Sequence, residues 1–227
     1  MLTEQTPLTA APANRLVLAS RSPARQKLLT DAGINFEVIV SEVDEDAALK
    51  EAQKHAYISG LGDITPAQTA LLLAKAKARA VAATAEAAEA LVLGCDSVFE
   101  FEGQAFGKPH TEQKATERIT AMSGRAGILH TGHWLVDNRS KSQSEASALR
   151  SATVHFDSMS EAEISAYVAS QEPLHVAGSF TIDGFGAAFI KEIDGEFHTV
   201  VGLSINALRS MLREMNTPIT DFWKKTT

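Results

Sequence analysis

Residue types and spacings able to do chemistry appear first at Leu16-Val-Leu-Ala-Ser-Arg-Ser-Pro-Ala-Arg25. Residues 16–19 suit a buried strand, Ser22 is a good N-cap, and Pro23 fits the first helical position, where its missing N–H costs nothing. The stretch predicts a strand running straight into a helix. Free N–H groups and a positive dipole at the carboxyl end of a parallel strand, ringed by Ser20, Arg21, Ser22 and Arg25, make an anion site suited to phosphate. The plainer alternative is a capped helix with solvated arginines; the strand position and the paired arginines weigh against it.

A second centre is Leu91-Val-Leu-Gly-Cys-Asp-Ser-Val-Phe99, an apolar strand interrupted by Asp96. A carboxylate in a buried run is expensive unless it is paired or binds a cation, although an aspartate can also cap a turn. Ser41-Glu-Val-Asp-Glu-Asp46, read as the end of a strand, could hold Mg²⁺, which takes one or two carboxylates plus substrate phosphates; an exposed acidic loop is the competing reading. Gly103 to Lys108 superficially resembles a P-loop, but its glycines are one residue too close and Pro109 stands where Ser or Thr would be needed. Lys108 can still place a charge near a phosphate if the Glu102-Gly103 hairpin folds back. Lys77 matters only if its helix lies against the anion site. His130 and His133, three apart in a strand, point to opposite faces and do not share a metal.

The elements that must position these groups follow from pattern. Gly33 ends the first helix before Phe36–Val40 resumes as a strand, giving a βαβ unit. Residues 50–63 read as a helix fragment and a loop. Thr65-Pro66-Ala67-Gln68 is a capping box opening an alanine-rich helix to about Ala83 or on to Ala90, and Ser160-Glu-Ala-Glu163 opens another to about Ser170. Between them come a capped helix from Thr111 to Met122 and strands from Ile128 to Val136 and Ala146 to Phe156. Leu174 to Gly186 reads as a loop–strand unit carrying Asp183, Asp194-Gly195 as a second hairpin, and Ser204 as the cap of the last helix, to about Met215. The 227 residues are 44% hydrophobic and 22% charged, enough for one good core. A net charge of −7 argues against a general nucleic-acid binder. The single cysteine, Cys95, excludes an internal disulfide and a thiolate zinc cluster; with no signal-peptide pattern or membrane-length apolar run, the chain reads as cytoplasmic, without a membrane or nucleic-acid partner.

As a set these residues resemble the Maf-like nucleoside triphosphate pyrophosphatases, named for septum formation inhibition. The resemblance rests on Leu-Ala-Ser-x-Ser-Pro-x-Arg at 18–25, Val-Asp-Glu at 43–45, Lys-Ala-x-Ala at 77–80, Gly-x-Asp-Ser at 94–97 and Gly-Lys-Pro at 107–109. It continues through Ser-Gly-Arg at 123–125, Thr-Gly at 131–132, Ala-Gly-Ser-Phe at 177–180 and Val-Val-Gly-Leu-Ser at 200–204. It implies an α/β fold, a mixed twisted sheet flanked by helices in the Maf/ITPase-like manner, with a cleft between two lobes. A single catalytic domain would span 15–215, between a flexible N-terminal segment 1–14 and a C-terminal tail 216–227. The implied reaction converts a nucleoside triphosphate to the monophosphate and pyrophosphate with Mg²⁺ or Mn²⁺, in an enzyme that is often a homodimer; a nucleotide-binding division regulator with little turnover is the alternative. By motif, Asp96 matches the proton acceptor, Glu45 the acidic metal or phosphate-site residue, and Ser20, Ser22, Arg25, Lys77 and Lys108 the phosphate-site positions. Ala24, Ser97 and Asp183 fall where relatives in the pyrimidine-preferring branch carry Arg, Thr and Gln, positions associated with base selection. The stretch 175–186 is closer to the branch accepting 7-methyl-GTP, and a carboxylate at 183 could pair with the N–H donors of a guanine edge.

Overall fold

In the computed structural model, which describes residues 14–140 and 143–224, the chain opens with strand β1 (Arg15–Leu18), helix α1 (Pro23–Asp31) and the short strand β2 (Glu37–Val38). Ser22 accepts a hydrogen bond from the Arg25 N–H, Pro23 stands at the first helical position, and Gly33 follows with φ +70°. The predicted βαβ unit is thus present, with β1 and β2 parallel. Two helices follow, α2 (Glu45–Ile58) and α3 (Pro66–Ala82), the latter with the reciprocal Thr65/Gln68 capping box. The acidic run at 41–46 is not the end of a strand. Asp44 caps the Ala47 N–H, so Glu45 and Asp46 occupy the first turn of α2, where the helix dipole favours negative charge.

Long strands β3 (Ala90–Phe101), β5 (Ala126–Asp137) and β6 (Ser144–Phe156) form the antiparallel spine, with β4 (Gln104–Phe106) folded back on β3 and β7 (Ile190–Asp194) on β6. Helices α4 (Glu112–Met122), α5 (Glu161–Ala169), α6 (Phe197–Val201) and α7 (Ile205–Glu214) complete the set. The mixed seven-stranded sheet runs β2-β1-β3-β5-β6-β7, with β1 parallel to β3. Two sequence expectations fail here. Residues 172–189 hold three 3₁₀ turns and no strand, because the segment wraps around the Glu172 carboxylate; Asp194-Gly195 leads from β7 into α6 instead of making a hairpin.

Apolar residues divide by face as strand alternation requires. Leu16, Leu18, Leu91, Leu93 and Cys95 pack toward α1 and α7 with Leu29, Leu208 and Met211, whereas Val17, Ala19, Val92 and Val136 pack under α3 with Ala78 and Val81. Burial pushes the Cys95 thiol up to about 12 and keeps it protonated. The second lobe has its own core of Phe99, Phe101, Ile119, Met122, Phe156 and Phe180. Residues 219–222, beyond α7, turn back and bury Phe222 in the first core.

The sheet has a gap that makes the cleft. On one edge of β3, β1 pairs with residues 90–93 and β4 with residues 99–101; among the described residues no strand pairs with 94–98 on that side. Ser20 follows β1 into this gap from one end. From the other, the register Phe99–Phe106 returns the chain so that Lys108 comes back toward the level of Ser97.

Candidate active site

Asp96 lies in the middle of the gap, 8% exposed. Its depth follows from how α3 meets the sheet. A Cβ on Gly94 would stand 2.2 Å from the Ala74 carbonyl oxygen, and one on Gly132 2.4 Å from that of Ala70, so two glycines and a row of alanines let helix backbone rest on sheet backbone. Lys77, one residue before Ala78 and on the same side of the sheet as Gly94 and Asp96, then reaches the carboxylate: its Nζ is 2.6 Å from Asp96 Oδ1 and 2.8 Å from Glu45 Oε1. One ammonium therefore joins the first turn of α2 to the middle of β3. Burial raises the Asp96 pKa above the ordinary aspartate range, with Lys77 and Arg25 opposing the shift and Glu45 reinforcing it.

Arg25 occupies the opposite face of β3, buried, and every partner it has among the described residues is a neutral oxygen. Nε donates to the Gly202 carbonyl at 2.8 Å, Nη1 to Ser20 Oγ at 3.2 Å and Nη2 to Ser97 Oγ at 3.1 Å. A guanidinium has five N–H donors, so these contacts leave one on each terminal nitrogen. Arg21 is turned away, 3.9 Å from Glu42 at the surface. Ser20 Oγ also accepts from the Ser22 N–H, which tightens the loop before α1.

Thr131 and His133 were named only in motifs or as a rejected metal pair, yet both face this side and hold the α6–α7 junction. Thr131 Oγ1 donates to the Thr199 carbonyl at 2.8 Å, and His133 Nε2 accepts from the Ser204 N–H at 2.8 Å while Nδ1 lies 3.1 Å from the Ala148 carbonyl. Those two contacts fix the neutral Nδ1–H tautomer. Burial pulls the His133 pKa down to about 4. His130 points the other way, to Ser151 and Glu100, as strand alternation requires.

The structure brings Ser20, Ser22, Arg25, Glu45, Lys77, Asp96 and Ser97 to the gap. Lys108 is exposed after β4, with no side-chain partner among the described residues in the Asp96 cluster. Ala24 is half-buried on α1, and Asp183 is exposed on the 181–186 turn; Lys27 of α1 has its pKa raised by its hydrogen bond and ion pair with Asp31, with Asp183 the smallest contributor. The turn hangs on Glu172, which sequence reasoning passed over. Glu172 accepts from Tyr167 Oη at 3.0 Å, the Phe185 N–H at 2.9 Å, the Gly186 N–H at 3.0 Å and the Thr181 hydroxyl. Despite desolvation, these donors hold its carboxyl below the usual glutamate range.

Glu45 and Asp96 fit a hard divalent cation: both carboxylates converge within 3 Å of one Lys77 nitrogen, and two carboxylates beside a phosphate site are what Mg²⁺ ordinarily takes. Among the described residues no third His, Cys, Asp or Glu joins them.

Comparison with known proteins places the chain in a family. The profile of a family described as "Maf-like protein" matches residues 15–215. The chain is 50% identical over 216 residues to a Streptomyces avermitilis protein, covering 95% of this chain and 98% of the relative. It is 47% identical to one from Salinispora tropica (94% and 89%) and 46% identical to one from a Synechococcus species (86% and 100%). All three relatives carry the name "Nucleoside triphosphate pyrophosphatase". The chain belongs to the Maf-like protein family.

Proposed function

We propose that this protein is a nucleoside triphosphate pyrophosphatase that cleaves the bond between the α- and β-phosphates. The observation that carries the reading is the Glu45–Lys77–Asp96 bridge, set in a sheet gap beside a guanidinium with two unused donors. Water adds to the α-phosphorus as the bond from that phosphorus to the α–β bridging oxygen breaks. The products are the monophosphate and pyrophosphate, and the water's proton passes to Asp96. Its raised pKa makes this carboxylate a stronger base than an ordinary aspartate. Glu45 and Asp96 would hold the divalent cation, which when bound supplies positive charge against the triphosphate. Arg25, with Ser20 and Ser22, binds the phosphate oxygens on which charge develops, while Lys77 holds both carboxylates in place and Lys108 enters from the far side of the gap.

The base selected is read from α1 and the turn opposite it. With Ala24 in place of an arginine and the exposed Asp183 carboxylate on the turn, the site is suited to a base edge rich in N–H donors, as in 7-methylguanine, over a uracil-type edge. The test is a panel of nucleoside triphosphates with Mg²⁺ or Mn²⁺, with pyrophosphate and orthophosphate measured separately. Pyrophosphate as first product is expected; orthophosphate first would overturn the bond assignment. Tight binding without turnover under either metal would point to the nucleotide-binding regulator. Preference for dTTP or UTP would overturn the base assignment alone.

A further inference from the structure

The geometry points to Thr131 as a positioning residue that aims Arg25 through Ser97, a role resting on the reading of Arg25 as a phosphate ligand. Proton counting fixes the direction of the contacts. A carbonyl oxygen can only accept, so the single hydroxyl proton of Thr131 goes to Thr199, 2.8 Å away. Ser97 Oγ lies 2.9 Å from Thr131 Oγ1, and with Thr131's proton already used, Ser97 is the donor between them. The guanidinium can only donate, so Arg25 Nη2 donates to the Ser97 oxygen at 3.1 Å. A one-way chain results, from Arg25 through Ser97 and Thr131 to the Thr199 carbonyl, with neither hydroxyl free to rotate.

The chain ends on the segment that also holds Arg25 directly. Thr199 lies within α6, Gly202 follows that helix, and the Gly202 carbonyl takes Arg25 Nε at 2.8 Å. With Ser20 on Nη1, the guanidinium is held at three nitrogens, which sets its plane and therefore where its two remaining N–H groups point. Thr131 is fully buried, so water has no access to replace its hydroxyl. Ser97, placed by motif at a base-selection position, is by these contacts part of the phosphate side. Its exchange for threonine keeps the hydroxyl and hence the chain.

Steady-state kinetics of Thr131→Val, Thr131→Ser and Ser97→Ala, in the natural and Arg25→Lys backgrounds, test this. Thr131→Val is expected to lower kcat about tenfold to a hundredfold, with KM changed about threefold or less, because misaiming a transition-state ligand acts mainly on kcat. Thr131→Ser is expected to restore kcat to within about twofold. In the Arg25→Lys background Thr131→Val should add less than about twofold, since coupled residues are non-additive. Natural kcat in Thr131→Val, no rescue by serine, or multiplicative losses with Arg25→Lys would each overturn the role. If Thr131→Val does not fold by thermal melting, Ser97→Ala removes the middle link, and natural kcat in that variant overturns it equally. Natural activity in Arg25→Lys alone would instead overturn the phosphate reading on which the inference rests.

Discussion

The two faces of β3 handle charge in opposite ways. Toward α3, the Lys77 ammonium is met by two carboxylates, so that cluster carries net negative charge and its strength depends on protonation of the buried Asp96. Toward α1 and α6, Arg25 is met by carbonyl and hydroxyl oxygens and, among the described residues, by no carboxylate. Adjacent residues, Asp96 and Ser97, serve the two faces because side chains alternate along a strand. On the function proposed above, one face takes a cation and a proton and the other an anion. A hydrolase of phosphoanhydrides needs both near one substrate, and here they belong to adjacent residues of one strand.

The contrast can be broken most strongly at Asp96. Asp96→Asn is expected to cut pyrophosphate release about a thousandfold or more, while nucleotide binding, followed by fluorescence titration, stays within a few-fold because the Arg25 face is intact. Full activity would remove Asp96 as the base. In the cation-free protein burial raises the Asp96 pKa, so its protonation, followed by carboxyl NMR shifts, is expected above the ordinary aspartate range, and adding Mg²⁺ is expected to lower it if Asp96 takes the cation.

Gly94→Ala attacks the same face through geometry. The new Cβ would meet α3 backbone at 2.2 Å, so the helix must lift, with an expected loss of about 2–3 kcal/mol in urea unfolding and a weaker Lys77–Asp96 contact. Unchanged stability would show that α3 can slide.

On the anion face the lever is His133. Its pKa is about 4 in the fold against an ordinary value of 6.5, so the unfolded chain binds more protons between those values. This stabilising contribution is complete above pH 6.5 and is lost as pH falls toward 4, by about 2 kcal/mol between pH 7 and pH 5. Urea midpoints should show that slope, and His133→Gln should flatten it. A parallel slope in the variant would assign acid sensitivity elsewhere.

The smallest effect is expected at Glu172. Glu172→Gln turns an amide N–H₂ toward a nest of donors, loosening the turn that carries Asp183, and should change the kcat/KM ratio between purine and pyrimidine triphosphates about fivefold with little change in bond choice. An unaltered ratio would detach base selection from that turn.

What was legible in the chain was local. Ser22-Pro23 and the 65–68 and 160–163 capping boxes start helices where their chemistry requires, and an acid inside an apolar strand marked Asp96. The anchors of Arg25 were not legible, because Ser97, Thr131, Thr199 and Gly202 are common residues whose meaning comes from partners 34 to 177 positions away. The motifs Thr-Gly at 131–132 and Val-Val-Gly-Leu-Ser at 200–204 were the available signal, and neither states a hydrogen bond. The acidic run at 41–46 was misplaced for a related reason: an aspartate before a helix and one closing a strand look alike until the next turn's packing is known. Glu172 escaped notice because a lone glutamate before a proline says nothing of four donors arriving from residues 167–186.

The gap on one edge of β3 has a mechanical counterpart on the other. There the ladder to β5 runs unbroken from Leu91 to Glu100, across the boundary between the two lobes. A hinge between the lobes would have to shear that ladder, so the cleft floor is stiff and its two rims keep a fixed span. Helix α2, by contrast, has no buried residue, and Glu45 in its first turn reaches the floor through Lys77. On the function proposed above, a cation that takes up the Glu45 carboxylate competes with that tie, and the free energy of releasing it enters the measured affinity.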